Sequence, residues 1–303
     1  MERGGYVRTV RVTAKTLLAE EVASIELTGG DLPAWAPGAH IDVEVRPGLV
    51  RQYSLCGEPG APWRIAVLRE DPGRGGSRHL HDEVRVGDEL RAGEPRNNFP
   101  LTPSPEYVFV AGGIGITPLL PMLREADAAG ASWELYYGGR RRDRMAFLDE
   151  LSRYGERVHV LPEDEHGLLP LKEIFAASDA PVYCCGPEPL LAAAEKVCPP
   201  GRLRVERFHA REQSGPSAGF EVSAGGRTIP VGPEESILDA LDAAGIPMPS
   251  SCREGTCGSC ETPVLEGEVD HRDSVLSEEE RAAGKTMMVC VSRARSPRLV
   301  LDL

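Results

Sequence analysis

The sequence predicts a multidomain chain: an antiparallel β-barrel, then an α/β domain with a parallel sheet, then a small segment built around a cysteine loop. Three observations carry this. The N-terminal third holds many short alternating runs separated by Gly and Pro. From Tyr107 onward the apolar runs become continuous and alternate with helical stretches. Near the end, Cys252, Cys257 and Cys260 stand at C-x4-C-x2-C spacing, answered by a lone Cys290.

In the first segment Val7, Val10 and Val12 sit among polar residues. Ile41, Val43 and Val45 alternate with Asp42, Glu44 and Arg46, the period of a half-buried strand. Residues 64–68 and 84–90 read as further strands, with a short helix over 78–83 between them. Leu101-Thr102-Pro103-Ser104-Pro105 is the connection out of the barrel. Beyond it, 107–111, 133–137, 158–161 and 182–185 read as strands, and 119–129, 146–154, 169–176 and 189–197 as helices. That alternation belongs to a nucleotide-binding α/β domain. A polar linker covers 211–217. The third segment opens with two short strands around Gly225-Gly226. Ser236 with Asp239, and Ser277 with Glu280, mark capped helix starts, and 288–291 and 299–301 read as closing strands. The expected domains are 1–103, 104–210 and 218–303, with 211–217 as linker.

A length of 303 residues fits two or three domains. No stretch of about 18 apolar residues occurs, and the N-terminus enters an alternating run without an apolar signal core. The expectation is a cytoplasmic monomer that neither spans a membrane nor, at a net charge of −13, binds nucleic acid. From Ala218 onward 15 Asp and Glu stand against 8 Lys and Arg, a balance of −7 and about half the total excess. This points to docking on a basic partner.

The cysteine spacing is that of a plant-type [2Fe-2S] site, three ligands from one loop and the fourth from a distant segment. Gly255 and Gly258 let the loop curl toward the sulfurs. Zinc sites pair their ligands as two C-x2-C units, which the four-residue gap does not match, and disulfide frameworks belong to smaller secreted domains. Cys56, Cys184, Cys185 and Cys198 have no ligand spacing and read as small buried apolar residues.

Four further motifs bear on chemistry. Arg51-Gln52-Tyr53-Ser54 offers a cation, an aromatic ring and a hydroxyl on one strand; alone it also fits an exposed sheet edge. Gly73-Arg74-Gly75-Gly76-Ser77 leads into a helix and offers free N–H groups to a phosphate; alone it also fits a surface turn. Gly112-Gly113-Ile114-Gly115-Ile116-Thr117-Pro118 follows the first parallel strand, with Pro118 read as the first helical residue where a dinucleotide fingerprint has its third glycine. Cys185-Gly186-Pro187 repeats that placement after the last apolar strand. Glu163, Asp164 and Glu165 follow the third strand of the α/β segment, where carboxylates accept from ribose hydroxyls and repel a 2′-phosphate, although Arg140-Arg141-Arg142 stands nearby. The expectation is NADH over NADPH.

Together with Pro95-Arg96-Asn97-Asn98-Phe99-Pro100-Leu101 and Val289-Cys290-Val291-Ser292-Arg293-Ala294, these motifs resemble the phthalate dioxygenase reductase family over essentially the whole chain. The first two domains are then similar to ferredoxin–NADP reductases and the third to a β-grasp plant-type ferredoxin. The resemblance implies FMN, a nicotinamide donor and a terminal oxygenase as acceptor. It implies that Arg51, Tyr53 and Ser54 hold the flavin, that Val67, Leu68 and Arg69 line it, and that Arg74, Gly75, Gly76 and Ser77 bind its phosphate. Thr117 and Cys185 would lie near the flavin–nicotinamide contact, in the turns whose Gly112, Gly113, Gly115, Gly186 and Pro187 would meet the nucleotide, and Phe208 would shield the flavin. Cys252, Cys257, Cys260 and Cys290 would hold the cluster. No catalytic acid or base is implied, since the chemistry is the cofactors'. His40, His79, His81, His159, His166, His209 and His271 show no metal or triad spacing and read mostly as surface groups.

The expected activity is transfer of a hydride from NADH to FMN, then of single electrons through the cluster to a Rieske-type, aromatic-substrate oxygenase or demethylase. The chain has no haem domain, Rieske C-x-H pair or H-x-x-x-H iron site, so it reads as the donor and not the oxygenase. Two alternatives stay open: an FAD-containing donor to a haem-thiolate monooxygenase, and a redox-sensing protein without turnover.

Overall fold

The computed structural model describes residues 6–71, 75–208 and 218–303, so Arg74, His209 and the linker 211–217 lie outside the described residues. The chain divides into two compact units, one running from Tyr6 to Arg207 and one containing Phe208–Leu303.

The first unit begins with a barrel of β1 (Tyr6–Ala19), β2 (Val22–Thr28), β3 (Ala39–Arg46), β4 (Leu49–Ser54), β5 (Trp63–Leu68), the helix α1 (Gly76–Asp82), β6 (Glu89–Gly93) and β7 (Arg96–Asn97). The strand order is β4-β3-β6-β1-β2-β5, with β7 on β3 and every pairing antiparallel. Register shifts at Val12/Ala14 and Leu17/Ala19 coil the long β1, as bulges do. Alternate residues Val10 and Val12, Ile25 and Leu27, Ile41 and Val43 point inward with Trp63 and Ile65, and α1 adds Leu80 to that core. The reading of 84–90 as a strand is corrected. Of these residues only Glu89 and Leu90 belong to a strand, because the Asp88 carboxylate accepts from the Arg85 N–H at 2.7 Å and Gly87 takes φ +100°, closing a turn.

The same unit continues with β8 (Glu106–Gly112), a 3-10 turn at Gly113–Gly115, α2 (Ile116–Ala128), β9 (Ser132–Gly139), α3 (Leu148–Leu151), β10 (Val158–Pro162), α4 (Glu163–His166), α5 (Leu171–Ala176), β11 (Val182–Cys185), α6 (Glu188–Val197) and β12 (Leu203–Glu206). The sheet runs β10-β9-β8-β11-β12, all parallel. Strand order reverses between β8 and β11, the switch point where open α/β sheets bind ligands. Two expectations shift. Pro118 is the third residue of α2, not the first, since Gly115 caps the helix and Ile116 begins it. The helix expected over 146–154 shrinks to one turn, because Phe147 enters with φ 65° and Gly155 breaks the following 3-10 segment at φ 59°, ψ −132°. Arg124 of α2 binds the barrel by donating to the carbonyls of Cys56 and Gly57 at 3.2 and 2.7 Å. Its guanidinium pairs with Glu150, which also meets Arg64 of β5 at 3.0 Å.

The second unit contains β13 (Phe220–Ala224), β14 (Arg227–Val231), α7 (Ile237–Ala243), β15 (Glu261–Glu266), β16 (Val269–Asp270), α8 (Glu278–Ala283), β17 (Thr286–Met288), β18 (Arg293–Ala294) and β19 (Arg298–Leu301). A β13–β14 hairpin, the parallel β13–β19 pair and the order β14-β13-β19-β15-β17 make a β-grasp sheet. Ile237, Leu238 and Leu241 of α7 are buried in one core with Val222, Met287, Val289 and Leu299. Ser277 and Glu280 form the full capping box of α8, whereas at α7 the Asp239 carboxylate meets the Ser236 hydroxyl and leaves the cap one-sided. The strand expected over 288–291 ends at Met288. The N–H groups of Val291 and Ser292 both turn back to the Met288 carbonyl, at 3.2 and 2.9 Å, so Cys290 lies in a turn.

Among the described residues no helix is long and apolar enough to cross a membrane.

Candidate functional site

The edge of the barrel gathers the first set of residues. Tyr53 and Ser54 end β4, opposite Ile41 and His40 of β3. Burial pushes the Tyr53 phenol well above its usual range. Val67 and Leu68 end β5 beside Ala23 and Val22, and the chain then turns so that Ser77 Oγ accepts from the Glu70 N–H at 3.2 Å. Arg69 points at carboxylates, pairing with Asp82 and with Asp71 at 3.5 Å. Gly75 has φ +81°, and a Cβ built on it would lie 2.8 Å from Arg46 Nη2. A Cβ on Gly76 would lie 3.1 Å from the Arg51 stem. Two glycines held bare against two guanidinium side chains suit a bound phosphate. Arg46, at the far end of β3, was not singled out from the sequence; only its place beside a glycine loop in space reveals it.

At the switch point two turns interlock. A Cβ on Gly115 would sit 2.2 Å from the Cys185 carbonyl oxygen, and one on Gly112 would sit 2.7 Å from Pro187. The glycine turn after β8 and the Cys185-Gly186-Pro187 turn after β11 therefore pack backbone to backbone. Thr117 is buried there, its hydroxyl donating to the Ile114 carbonyl at 3.0 Å. The register of β11 and β12 sets Cys185 beside Glu206. Burial drives the Cys185 thiol well above its usual range and raises the Glu206 carboxyl to about 8, the neighbouring Ser54 hydroxyl offsetting part of that rise. Ser54 Oγ and Glu206 Oε2 are both buried and meet at one place. Two buried polar groups, one from the barrel and one from the parallel sheet, whose bonding capacity exceeds what each offers the other, fit a polar ring system that would use the remainder. Glu206, too, is not singled out by the sequence, where it carries no motif of its own beside Phe208. Phe208 follows it half-buried, after Arg207, which pairs with Glu188 at 2.9 Å and Glu195 at 2.8 Å.

At the same carboxyl end of the sheet, toward its β10 edge, an open surface depression of about 420 Å³ is lined by Arg141, Arg142, Asp143, Asp164 and Glu165. Glu163, Asp164 and Glu165 form the first turn of α4. The arginines are already engaged: Arg142 grips Glu165 through two contacts of 3.1 and 2.8 Å, and Arg141 pairs with Asp143. The Arg142 hydrogen bond holds the Glu165 carboxyl below the usual carboxylate range.

In the second unit Cys252, Cys257, Cys260 and Cys290 are all buried, none more than 7% exposed. They meet pairwise: the Cys252 thiol lies against Cys257 and Cys290, and Cys260 against Cys290. The hydrogen bond from Cys257 holds Cys252 below the usual thiol range. The Glu254 N–H donates to Cys252 Sγ at 3.3 Å and Ser259 Oγ lies 3.1 Å from Cys257 Sγ. Gly255, Gly258 and, unusually, Arg253 take positive φ, the last at 57°. Arg253 is held there by Asp239 at 3.1 Å and Asp242 at 3.0 Å, both on α7. Four converging soft thiols, with the Glu254 N–H at one sulfur and the Ser259 hydroxyl beside another, fit an iron–sulfur cluster. Among the described histidines, His40 is buried and the His271 side chain is 9% exposed, exceptions within a set read mostly as surface groups.

Comparison with known proteins agrees with this geometry. The chain matches the 2Fe-2S iron-sulfur cluster binding domain over residues 220–295 and the oxidoreductase NAD-binding domain over residues 109–196. It is 45% identical to phenoxybenzoate dioxygenase subunit beta of Ectopseudomonas oleovorans, covering 97% of each chain. Among solved structures it is similar to an intact type IV self-sufficient cytochrome P450 monooxygenase, at 46% identity and a TM-score of 0.90; 98% of this chain is covered but only 41% of that one. It is also similar to phthalate dioxygenase reductase, at 37% identity and a TM-score of 0.71 over 97% of both chains. With a barrel, a parallel nucleotide sheet and a four-thiol β-grasp domain in that order, the chain belongs to the phthalate dioxygenase reductase family, oxidoreductases that use NADH, FMN and a [2Fe-2S] cluster.

Proposed function

We propose that this chain is the reductase component of an oxygenase system, with an FMN domain over 1–103, an NAD domain over 104–210, a linker at 211–217 and a ferredoxin domain over 218–303. The observation that carries the reading is the meeting of Ser54, Cys185 and Glu206, which joins the barrel edge to the switch point of the nucleotide sheet. When bound, the flavin accepts a hydride and the cluster takes up one electron at a time. Arg51, Tyr53, Ser54, Val67, Leu68 and Arg69 would hold and line the flavin, and Arg74, Gly75, Gly76 and Ser77, now with Arg46, its phosphate. The interlocked turns at Gly112, Gly113, Gly115, Thr117, Cys185, Gly186 and Pro187 would give the nicotinamide nucleotide a close backbone approach, with Phe208 shielding the flavin. Cys252, Cys257, Cys260 and Cys290 would hold the cluster. Fusing the carriers in one chain raises their effective concentration for each other.

The acceptor in this reading is a terminal oxygenase, Rieske-type and acting on an aromatic substrate, met transiently through the acidic ferredoxin domain of a cytoplasmic monomer. Anaerobic addition of NADH to the full chain is expected to bleach the flavin and raise the paramagnetic signal of a reduced [2Fe-2S] cluster. Bleaching without that signal would refute the electron path. A second reading, delivery to a haem-thiolate monooxygenase, is favoured by the likeness to the self-sufficient cytochrome P450 chain. Coupled turnover with a haem-thiolate protein and none with a Rieske oxygenase would select it.

Glu163 and Asp164 would receive the adenosine ribose, and Glu165 neutralises Arg142 beside them. A 2′-phosphate would have to enter among carboxylates, a like-charge placement that costs several kcal/mol, so NADH should exceed NADPH in kcat/KM by about 100-fold or more. Glu165→Gln frees Arg142 and is expected to narrow that ratio by about tenfold. Equal kcat/KM for the two nucleotides in a ferricyanide assay of the wild type would overturn this assignment.

A further inference from the structure

The four cysteines lie on two stretches of chain, the loop 252–260 and the turn at Cys290, and some part of the fold must keep the two in register. We propose that Asp273 is that positioning residue: its buried carboxylate and the turn it organises brace both ligand-bearing stretches, and so set how firmly the cluster is held and how easily it is reduced.

Asp273 is 1% exposed and lies between β16 and α8. Its Oδ2 accepts from the N–H groups of Val275 at 3.1 Å and Leu276 at 2.8 Å, curling the segment 273–276. The curl presents the Ser274 N–H to the Gly255 carbonyl at 2.8 Å. Gly255 is inside the cysteine loop with φ +69°, and a Cβ on it would lie 3.0 Å from Asp273 Cα and 2.5 Å from Val291 Cγ2. The loop, the Asp273 turn and the Cys290 segment thus touch at a single glycine.

On its other side Asp273 reaches the Cys290 turn. Ser292 Oγ lies 3.4 Å from Asp273 Oδ1 and accepts from the Arg272 N–H at 3.2 Å, while the Ser292 N–H closes the turn on Met288. Arg281 of α8 donates to the Asp273 carbonyl at 2.8 Å, and its guanidinium lies 3.8 Å from Oδ2; His271 Nδ1 lies 3.7 Å from Oδ1. Groups beyond the ligands orient the ligands, and hydrogen bonding and charge around a cluster tune its potential. Reduction adds an electron to the cluster. A buried carboxylate fixed against the ligand loop opposes that addition, so removing its charge should make the cluster easier to reduce.

The proposal rests on the cluster reading of the four cysteines, which the wild-type paramagnetic signal tests separately. Asp273→Asn preserves shape: its amide oxygen can still face the Val275 and Leu276 N–H groups and its NH2 the Ser292 oxygen. It is expected to keep its iron but shift the cluster midpoint potential to a more positive value. Asp273→Ala and Ser292→Ala loosen the brace and are expected to release iron to a chelator faster than wild type, about 10-fold to 100-fold for the alanine at 273 and less for Ser292→Ala. Should Asp273→Ala fail to fold, the other two variants decide. A wild-type potential in Asp273→Asn, or wild-type iron release in Asp273→Ala or Ser292→Ala, overturns the proposal.

Discussion

Cys257→Ser and Cys290→Ser are each expected to abolish the [2Fe-2S] paramagnetic signal while NADH still bleaches the flavin. The four thiols are buried at one place in the second unit, and the residues assigned to flavin and nucleotide, Phe208 apart, lie in the first. Electrons should then stop at the flavin, so ferricyanide reduction would survive and transfer to one-electron acceptors that need the cluster would fall to background. A serine hydroxyl is a hard, weakly acidic ligand in place of a soft thiolate. The matched controls are Cys56→Ser and Cys198→Ser. Burial raises the Cys56 thiol to about 12, and its Sγ lies 3.3 Å from the Arg64 carbonyl, in the barrel. Those variants should keep a wild-type cluster spectrum. A normal spectrum in Cys257→Ser or Cys290→Ser would remove that residue from the ligand set.

The outcome of the sequence reading depends on how local each signal is. Alternation in 41–45 and the continuous apolar run 107–111 are one-dimensional patterns, and both became strands as expected. The C-x4-C-x2-C loop carries its chemistry in its spacing. What failed was set by contacts between segments. Val84 to Asp88 alternates like a strand, but one carboxylate and one positive-φ glycine make it a turn. Val289-Cys290-Val291 is as β-prone as any strand, yet two N–H groups on one carbonyl end the strand at Met288. Arg46 and Glu206 carry no motif. They acquire meaning when β3 is placed against the glycine loop and β12 against Ser54, placements that no window of sequence encodes. The arginine triplet at 140–142 is the one feature of the sequence that weighs against NADH, and the structure engages Arg141 and Arg142 with neighbouring carboxylates.

Glu206→Gln is expected to change both the pH response and the rate of flavin reduction. The carboxyl titrates near 8 because burial disfavours its charge, so at neutral pH it is mostly the uncharged acid. The folded state therefore holds a proton that the unfolded chain releases at ordinary carboxyl pH. Flavin-stripped protein should lose stability as pH rises from the ordinary carboxylate range to about 8 and lose no more above it, by a few kcal/mol in all. Gln cannot ionise, so the variant should lack that slope and gain on wild type across the same window, as thermal melts at a series of pH values would read. In the flavin-loaded protein the acid and Ser54 share a buried place with Cys185, where an O–H donor can orient an incoming polar ring and a carboxylate would repel electron-rich groups. NADH reduction of the flavin in wild type should then fall as pH rises and the acid ionises, while in Glu206→Gln it should be flat with pH and about tenfold to 100-fold slower at neutral pH. Stopped-flow bleaching across that range separates the two behaviours. A variant that keeps the wild-type rate and profile would reduce Glu206 to a buried strand residue and return the hydride step to the interlocked turns alone.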